Sequence, residues 1–138
     1  LSREIFLSED MMSIDNRSKL MIASYLGGCA IASSLVGIVH PLSAGLSVVL
    51  GVHHCEANCL VLNQLDEFYP EEVKLFKKML TKQDIKLRKN LTRGLTDEHF
   101  KMLYSSSIMH EKPLMNALGK NYKEVLSYSK VRKIFEKI

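Results

Sequence analysis

The sequence predicts an all-α protein, a helical bundle, in one domain over residues 1–138. Three observations predict it. Apolar residues make up 46% of the chain, which is enough for a real core and too many for a disordered segment. Only three prolines and seven glycines punctuate the chain, few for an all-β protein with many turns. Leu, Ile, Ala and Met recur at helical spacing, and residues 46–50 are the one weak strand candidate.

The elements follow in order. Leu1-Ser2-Arg3-Glu4 reads as the tail of a helix already under way, which points to a fragment of a longer protein. Ser8-Glu9-Asp10 reads as a fresh helix start, a capping hydroxyl followed by acids in the first turn. A long helix then runs to about Val39, loosened at Gly27-Gly28, and Pro41 prevents it from continuing past His40. Residues 41–52 read as a short crossing rich in Ser and Gly. A helix from about His53 to Phe68 stops before Pro70, and another covers about Glu71 to Lys82, with Val73, Phe76, Met79 and Leu80 as its apolar stripe. Residues 83–95 read as a loop or broken helix. Thr96-Asp97-Glu98 starts a helix whose Phe100, Leu103 and Tyr104 face inward. Residues 109–121 read as a loop with one helical turn, and helical segments near 122–126 and 129–138 end the chain.

No Asp, Glu, Lys or Arg occurs between Leu20 and Cys55. Two membrane-spanning helices, over residues 20–39 and 42–62, would explain this, since about 20 apolar residues cross a bilayer. A helix buried on all sides in a soluble core explains it too. His40, His53, His54, Glu56 and Asn58 would be costly in lipid, and the link between spans would be very short. The expectation is therefore burial in a soluble, cytoplasmic protein without a membrane segment.

Charge divides unevenly. Residues 1–69 carry three basic and seven acidic groups, and residues 70–138 carry sixteen basic and eight acidic. The basic half is either a solvated helical surface or a contact for an acidic partner. Its lysines are scattered among apolar residues, with no Arg-rich tract or aromatic interleaving, so nucleic acid is not an expected partner. Cys29, Cys55 and Cys59 are odd in number, which favours free thiols in a reducing compartment. Cys55 and Cys59 beside His53 and His54 form one crowded cluster, whereas a closed zinc site draws four ligands from two turns.

His40 and His54 stand out, because they flank the uncharged stretch. Two neutral imidazoles converging in an apolar cavity are competent ligands for a divalent metal. Three protein ligands is the usual minimum at a catalytic ion, so any other would be Glu56, Cys55 or His53, or lie outside the chain. Two buried histidines that make hydrogen bonds or cap helices fit the same spacing.

Residues 8–12 with Leu26-Gly27-Gly28, then Gly37-Ile38-Val39-His40, then His53-His54-Cys55-Glu56-Ala57-Asn58, resemble the iron-dependent (group III) alcohol dehydrogenase family. The likeness covers roughly residues 8–70. It implies the helical C-terminal, metal-binding domain of a dehydroquinate synthase-like fold. It also implies that the N-terminal dinucleotide-binding domain is absent from this chain. In that family a helix ends in a Gly-Leu-Val-His-like turn that supplies one ligand, and a Pro-His-Gly segment fourteen residues later supplies another. By that pattern His40 and His54 are the metal ligands here, with Ala57-Asn58 following at the family's spacing. The sequence departs from it at Ala44, where the family often has a further histidine, and at His53 and Cys55, which replace the Pro and Gly.

The resemblance implies a divalent metal, Fe2+ or Zn2+, held by His40, His54 and an Asp and a His on an earlier helix. It implies NAD(P) in the parent enzyme, not bound by this chain alone. The metal would lower the pKa of a substrate alcohol, and a hydride would pass to the nicotinamide. His53 would relay the proton, or serve only as a helix-start or surface histidine. His110 and Lys112 would contact a substrate carboxylate, or belong to an ordinary loop. Residues 24–32, residues 40–51 and His110-Glu111-Lys112-Pro113-Leu114 are most similar to family members that oxidise the terminal hydroxyl of a sugar acid, 3-deoxy-D-manno-octulosonate. A free-standing helical interaction module and a membrane hairpin are the competing functions. A truncated enzyme would expose the surface that met its missing domain, and so be sticky or form a homodimer.

Overall fold

The computed structural model describes all residues from Leu1 to Ile138. It contains nine helices and no strand: α1 (Ser2–Phe6), α2 (Ile14–Ser33), α3 (Val39–Leu50), α4 (His54–Leu62), α5 (Pro70–Lys82), α6 (Asp97–Ile108), α7 (Glu111–Leu118), α8 (Tyr122–Val125) and α9 (Tyr128–Phe135). The expected all-α class is what the chain adopts. No helix is long and apolar enough to cross a membrane.

The core forms where α3 packs against α6 and α4, with α9 closing over α6. Leu42 and Leu46 of α3, Ala57 and Val61 of α4, Leu103 of α6 and Phe135 of α9 are fully buried there. Leu114, Tyr122 and Leu126 extend the same core under α7 and α8. Ile5 and Val73 are buried outside it, where α1 rests on α5.

Several boundaries differ from expectation. The long helix begins at Ile14, because the Ser13 hydroxyl rather than Ser8 caps it, accepting from Asn16 N at 3.3 Å. Ser8 Oγ instead donates to the Ile5 carbonyl at 2.7 Å and finishes α1. The long helix also stops at Ser33, before a break at residues 34–37.

Residues 41–52 are mostly helix rather than a crossing, and the weak strand at 46–50 is the end of α3. Pro41 occupies the first turn of α3, where a missing N–H costs nothing and its fixed φ suits the helix. Gly51, at φ +66°, ends that helix in the left-handed conformation. The helix expected up to Phe68 ends at Leu62 and gives way to turns. Residues 111–118 form the eight-residue helix α7 rather than a loop, again with a proline, Pro113, in the first turn. The Thr96 start stands, reinforced by reciprocal capping: Thr96 Oγ1 accepts from His99 N, and the Thr96 N–H donates to His99 Nδ1.

The largest correction concerns α2. It was expected to be buried on all sides, yet it has no buried residue. It packs on α1, which rests on α5. Lys19 and Glu4 pair at 2.7 Å, and Gln83 Nε2 donates to the Phe6 and Ser8 carbonyls at 3.0 and 3.1 Å. Met21 is 75% exposed and Tyr25 72%, with Ile22, Leu26 and Ile31 more than half exposed. From Leu20 onward the helix carries no charge and presents an apolar surface that this chain does not enclose. An apolar patch of this kind drives association. The chain is expected to self-associate with rising concentration in sedimentation velocity, and Ile22→Glu with Leu26→Glu to shift it toward monomer. Unchanged sedimentation of that variant would show that α2 is not the contact.

Candidate metal centre

His40 and His54 meet. Their ring centres lie 4.6 Å apart, with the planes at 75°. His40 was expected at the end of a helix, but it sits in the first turn of α3, and His54 opens α4. Residues 51–53, outside either helix, link the end of α3 to α4, and both rings lie at helix N-termini. Such ends carry partial positive charge, which at His40 favours neutral imidazole over imidazolium.

Gly37 and Tyr69 position the start of α3. The Ile38 N–H donates to the Tyr69 hydroxyl at 3.3 Å, and a Cβ on Gly37 would lie 2.8 Å from that oxygen. Only glycine lets Tyr69 come so near. His40 then faces an open cleft of about 430 Å³, shared with Val39, Asn58, Leu62, Tyr69 and Glu72.

Asn58, one turn beyond His54, orients that ring. Its amide nitrogen donates to His54 Nε2 at 3.2 Å. The Ser43 hydroxyl donates to Asn58 Oδ1 at 2.6 Å and lies 2.9 Å from the His40 carbonyl oxygen. In this arrangement His54 carries its proton on Nδ1. Rotating the amide by a half-turn exchanges its oxygen and nitrogen, so that His54 Nε2 donates to Oδ1 and Nδ1 is left with a free lone pair for a metal. Ser43 thus links the backbone of one histidine to the side chain that orients the other. Sequence reasoning assigned Asn58 and Ser43 no orienting role, and Tyr69 was not singled out. The i, i+4 spacing of His54 and Asn58 was the available signal for the first.

Burial holds the His40 imidazole below the ordinary value of 6.5, and the charges of His54 and His110 push it the same way. The ring is therefore neutral near pH 7, the form that can ligate a metal. Above about pH 6.5 folded and unfolded chains are both neutral at this residue. As pH falls below that value, the unfolded chain takes the proton first. Stability declines until the pH passes the lower folded value. NMR titration of the imidazole in the metal-free chain is expected to give a midpoint below 6.5, rising in His54→Ala. A midpoint at or above 6.5 would contradict this environment.

The other site residues fall differently. His110 is half-buried at the N-cap of α7, near enough for its charge to act on His40. His53 is exposed at the N-cap of α4, and its side chain makes no capping bond. Lys112 is exposed in the first turn of α7. Glu56 points to Arg88, which binds it through Nε and through Nη2 at 2.7 Å. That guanidinium holds the Glu56 carboxyl below the usual carboxylate range. Cys55 is exposed, and burial pushes the Cys59 thiol up. No group of three or more His, Cys, Asp or Glu side chains gathers to hold an ion.

Edge-to-face packing of two rings gives the same separation that two imidazoles sharing one ion would have. Two imidazoles about 2.1 Å from one metal put their ring centres about 4.5 Å apart at a right angle and about 5.2 Å at the tetrahedral angle. The observed 4.6 Å matches the first. The family profile described as Fe-containing alcohol dehydrogenase family, C-terminal, matches residues 7–98. The chain belongs to that family. Membership implies a metal and NAD in the parent alcohol dehydrogenase. The matched span includes His40, His53, His54 and Asn58, and stops short of His110 and Lys112.

Proposed function

We propose that this chain is the part of a metal-dependent alcohol oxidoreductase that contributes His40 and His54 to a divalent ion. The observation that carries the proposal is the edge-to-face approach of the two rings at 4.6 Å. Family membership supports it, because both residues lie inside the matched segment. Two histidines leave coordination incomplete, so the remaining ligands and the nicotinamide site come from outside these residues.

A divalent ion held there supplies Lewis acidity, lowering the pKa of a bound alcohol. The chain's own residues do the rest. Asn58 fixes the His54 ring, and Ser43 fixes Asn58. The first turns of α3 and α4 add partial positive charge, which favours an anionic substrate oxygen nearby. His110, whose charge acts on His40, would meet the substrate, and Lys112, exposed in the first turn of α7, would contact its carboxylate. His53, open to solvent, passes the alcohol proton outward.

For the substrate we propose the terminal hydroxyl of a sugar acid, 3-deoxy-D-manno-octulosonate, as in 3-deoxy-D-manno-octulosonate 8-oxidase. The motifs of residues 24–32, 40–51 and 110–114 support this choice. The test is oxidation of that sugar acid and of simple primary alcohols by the full-length protein, with and without a chelator. Chelator-sensitive turnover of the sugar acid, lost in His40→Ala and His54→Ala, is expected. Turnover that survives both substitutions would overturn the metal role. Equal turnover of simple alcohols would overturn the substrate assignment.

A further inference from the structure

On the opposite face of α4 from Asn58 lies a second cleft, of about 400 Å³. Its floor is apolar, formed by the buried Leu60 and Ile138 and the half-buried Leu87. Three carboxamides, Asn63, Gln64 and Asn90, line it as well. Four cations surround it: Lys86, Arg88, Lys89 and Lys137.

The nearby carboxylates are already matched. Glu56 is bound by Arg88, Asp84 lies 3.6 Å from Lys86, and Asp66 holds Lys77 at 2.7 Å. Lys89 and Lys137 take part in none of the protein's ion pairs. Two ammonium groups outside any direct ion pair therefore line one cleft, Lys137 with the charge of Asp66 acting on it from nearby.

The segment that carries three of the cations is held in place. Ile85 N donates to the Leu80 carbonyl at 2.9 Å, and Leu91 N donates to the Ile138 carbonyl at 2.9 Å. Asp84 and Asn90, at φ 48° and 61°, turn the chain through the left-handed region on either side. Aspartate and asparagine are the non-glycine residues that take this conformation most readily.

We propose that this cleft binds a small phosphorylated molecule. Lys89 and Lys137 would take the phosphate, the three carboxamides would meet its polar groups, and the Leu60–Leu87 floor would meet an apolar face. Converging cations select a multiply charged anion over a single carboxylate. The volume is that of a small-molecule site, and an enclosed floor suits a compact ligand better than an acidic peptide. This site is independent of the histidine pair.

Titration of the chain with pyrophosphate, read by amide NMR against sodium chloride of equal ionic strength, tests the assignment. Saturable shifts confined to residues 63–64, 85–90 and 137 are expected. Lys89→Ala with Lys137→Ala is expected to weaken binding about tenfold or more, with an unchanged far-UV spectrum. Lys120→Ala with Lys133→Ala should leave binding as it was. Shifts spread over the lysine-rich surface and equal in both variants would overturn the site. Tighter binding of polyglutamate than of pyrophosphate would overturn the small-molecule assignment.

Discussion

Gly45→Val is expected to cost about 3 kcal/mol or more of stability, the upper range of overpacking. Gly45 is buried where α3 crosses α6. A Cβ there would fall inside contact distance of the Ser107 hydroxyl and 2.9 Å from the Leu103 carbonyl oxygen. That carbonyl is α6 backbone, and it already accepts the Ser107 hydroxyl at 2.8 Å. The Ser107 hydroxyl can rotate aside, but the Leu103 carbonyl cannot retreat without separating the helices that form the core. Gly45→Ala is the milder test, because alanine regains up to about 1 kcal/mol of helix propensity. A net loss of about 1–2 kcal/mol in denaturant unfolding is then expected. A more stable Gly45→Ala would show that the helices do not approach this closely.

Phe135→Ala is expected to cost about 3–5 kcal/mol. Phe135 is fully buried and is the largest such side chain in the protein. Its backbone carbonyl accepts the Thr92 hydroxyl at 2.9 Å, a bond the substitution retains. The loss therefore isolates the ring. Against a total of about 5–15 kcal/mol for a domain, this would leave a large unfolded fraction on mild heating. A loss below about 1 kcal/mol would mean that α9 does not close the core.

Local chemistry made much of the fold legible. Thr96 announced α6 because capping is a short-range signal, and the stripe of α5 announced that helix because its Val73 side is buried. Pro41 misled, since proline breaks a helix interior but suits a first turn, and only the structure shows which applies. The same ambiguity hid α7 behind Pro113. The uncharged stretch of α2 from Leu20 onward misled for another reason. Composition reports that a helix avoids water, and it does not report whether this chain supplies the cover.

The site was half legible. His40 and His54 were identified by their spacing in a resemblance, and the fold brings the rings together. Tyr69 and Ser43 were invisible because they act across 31 and 15 residues, on a backbone N–H and a carboxamide. His53 stands exposed at a helix start, one of the two readings its position allowed, whereas Lys112 lies in a helix rather than in the loop expected there.

The central claim is that His40 and His54 hold one ion together. Titrating zinc into the chain, with the imidazole nitrogens followed by NMR, tests it most directly. The account predicts that both rings respond on a single one-to-one curve, and that His40→Ala abolishes the response of His54. Independent curves for the two rings, or a response at His53 and Cys55 instead, would contradict it.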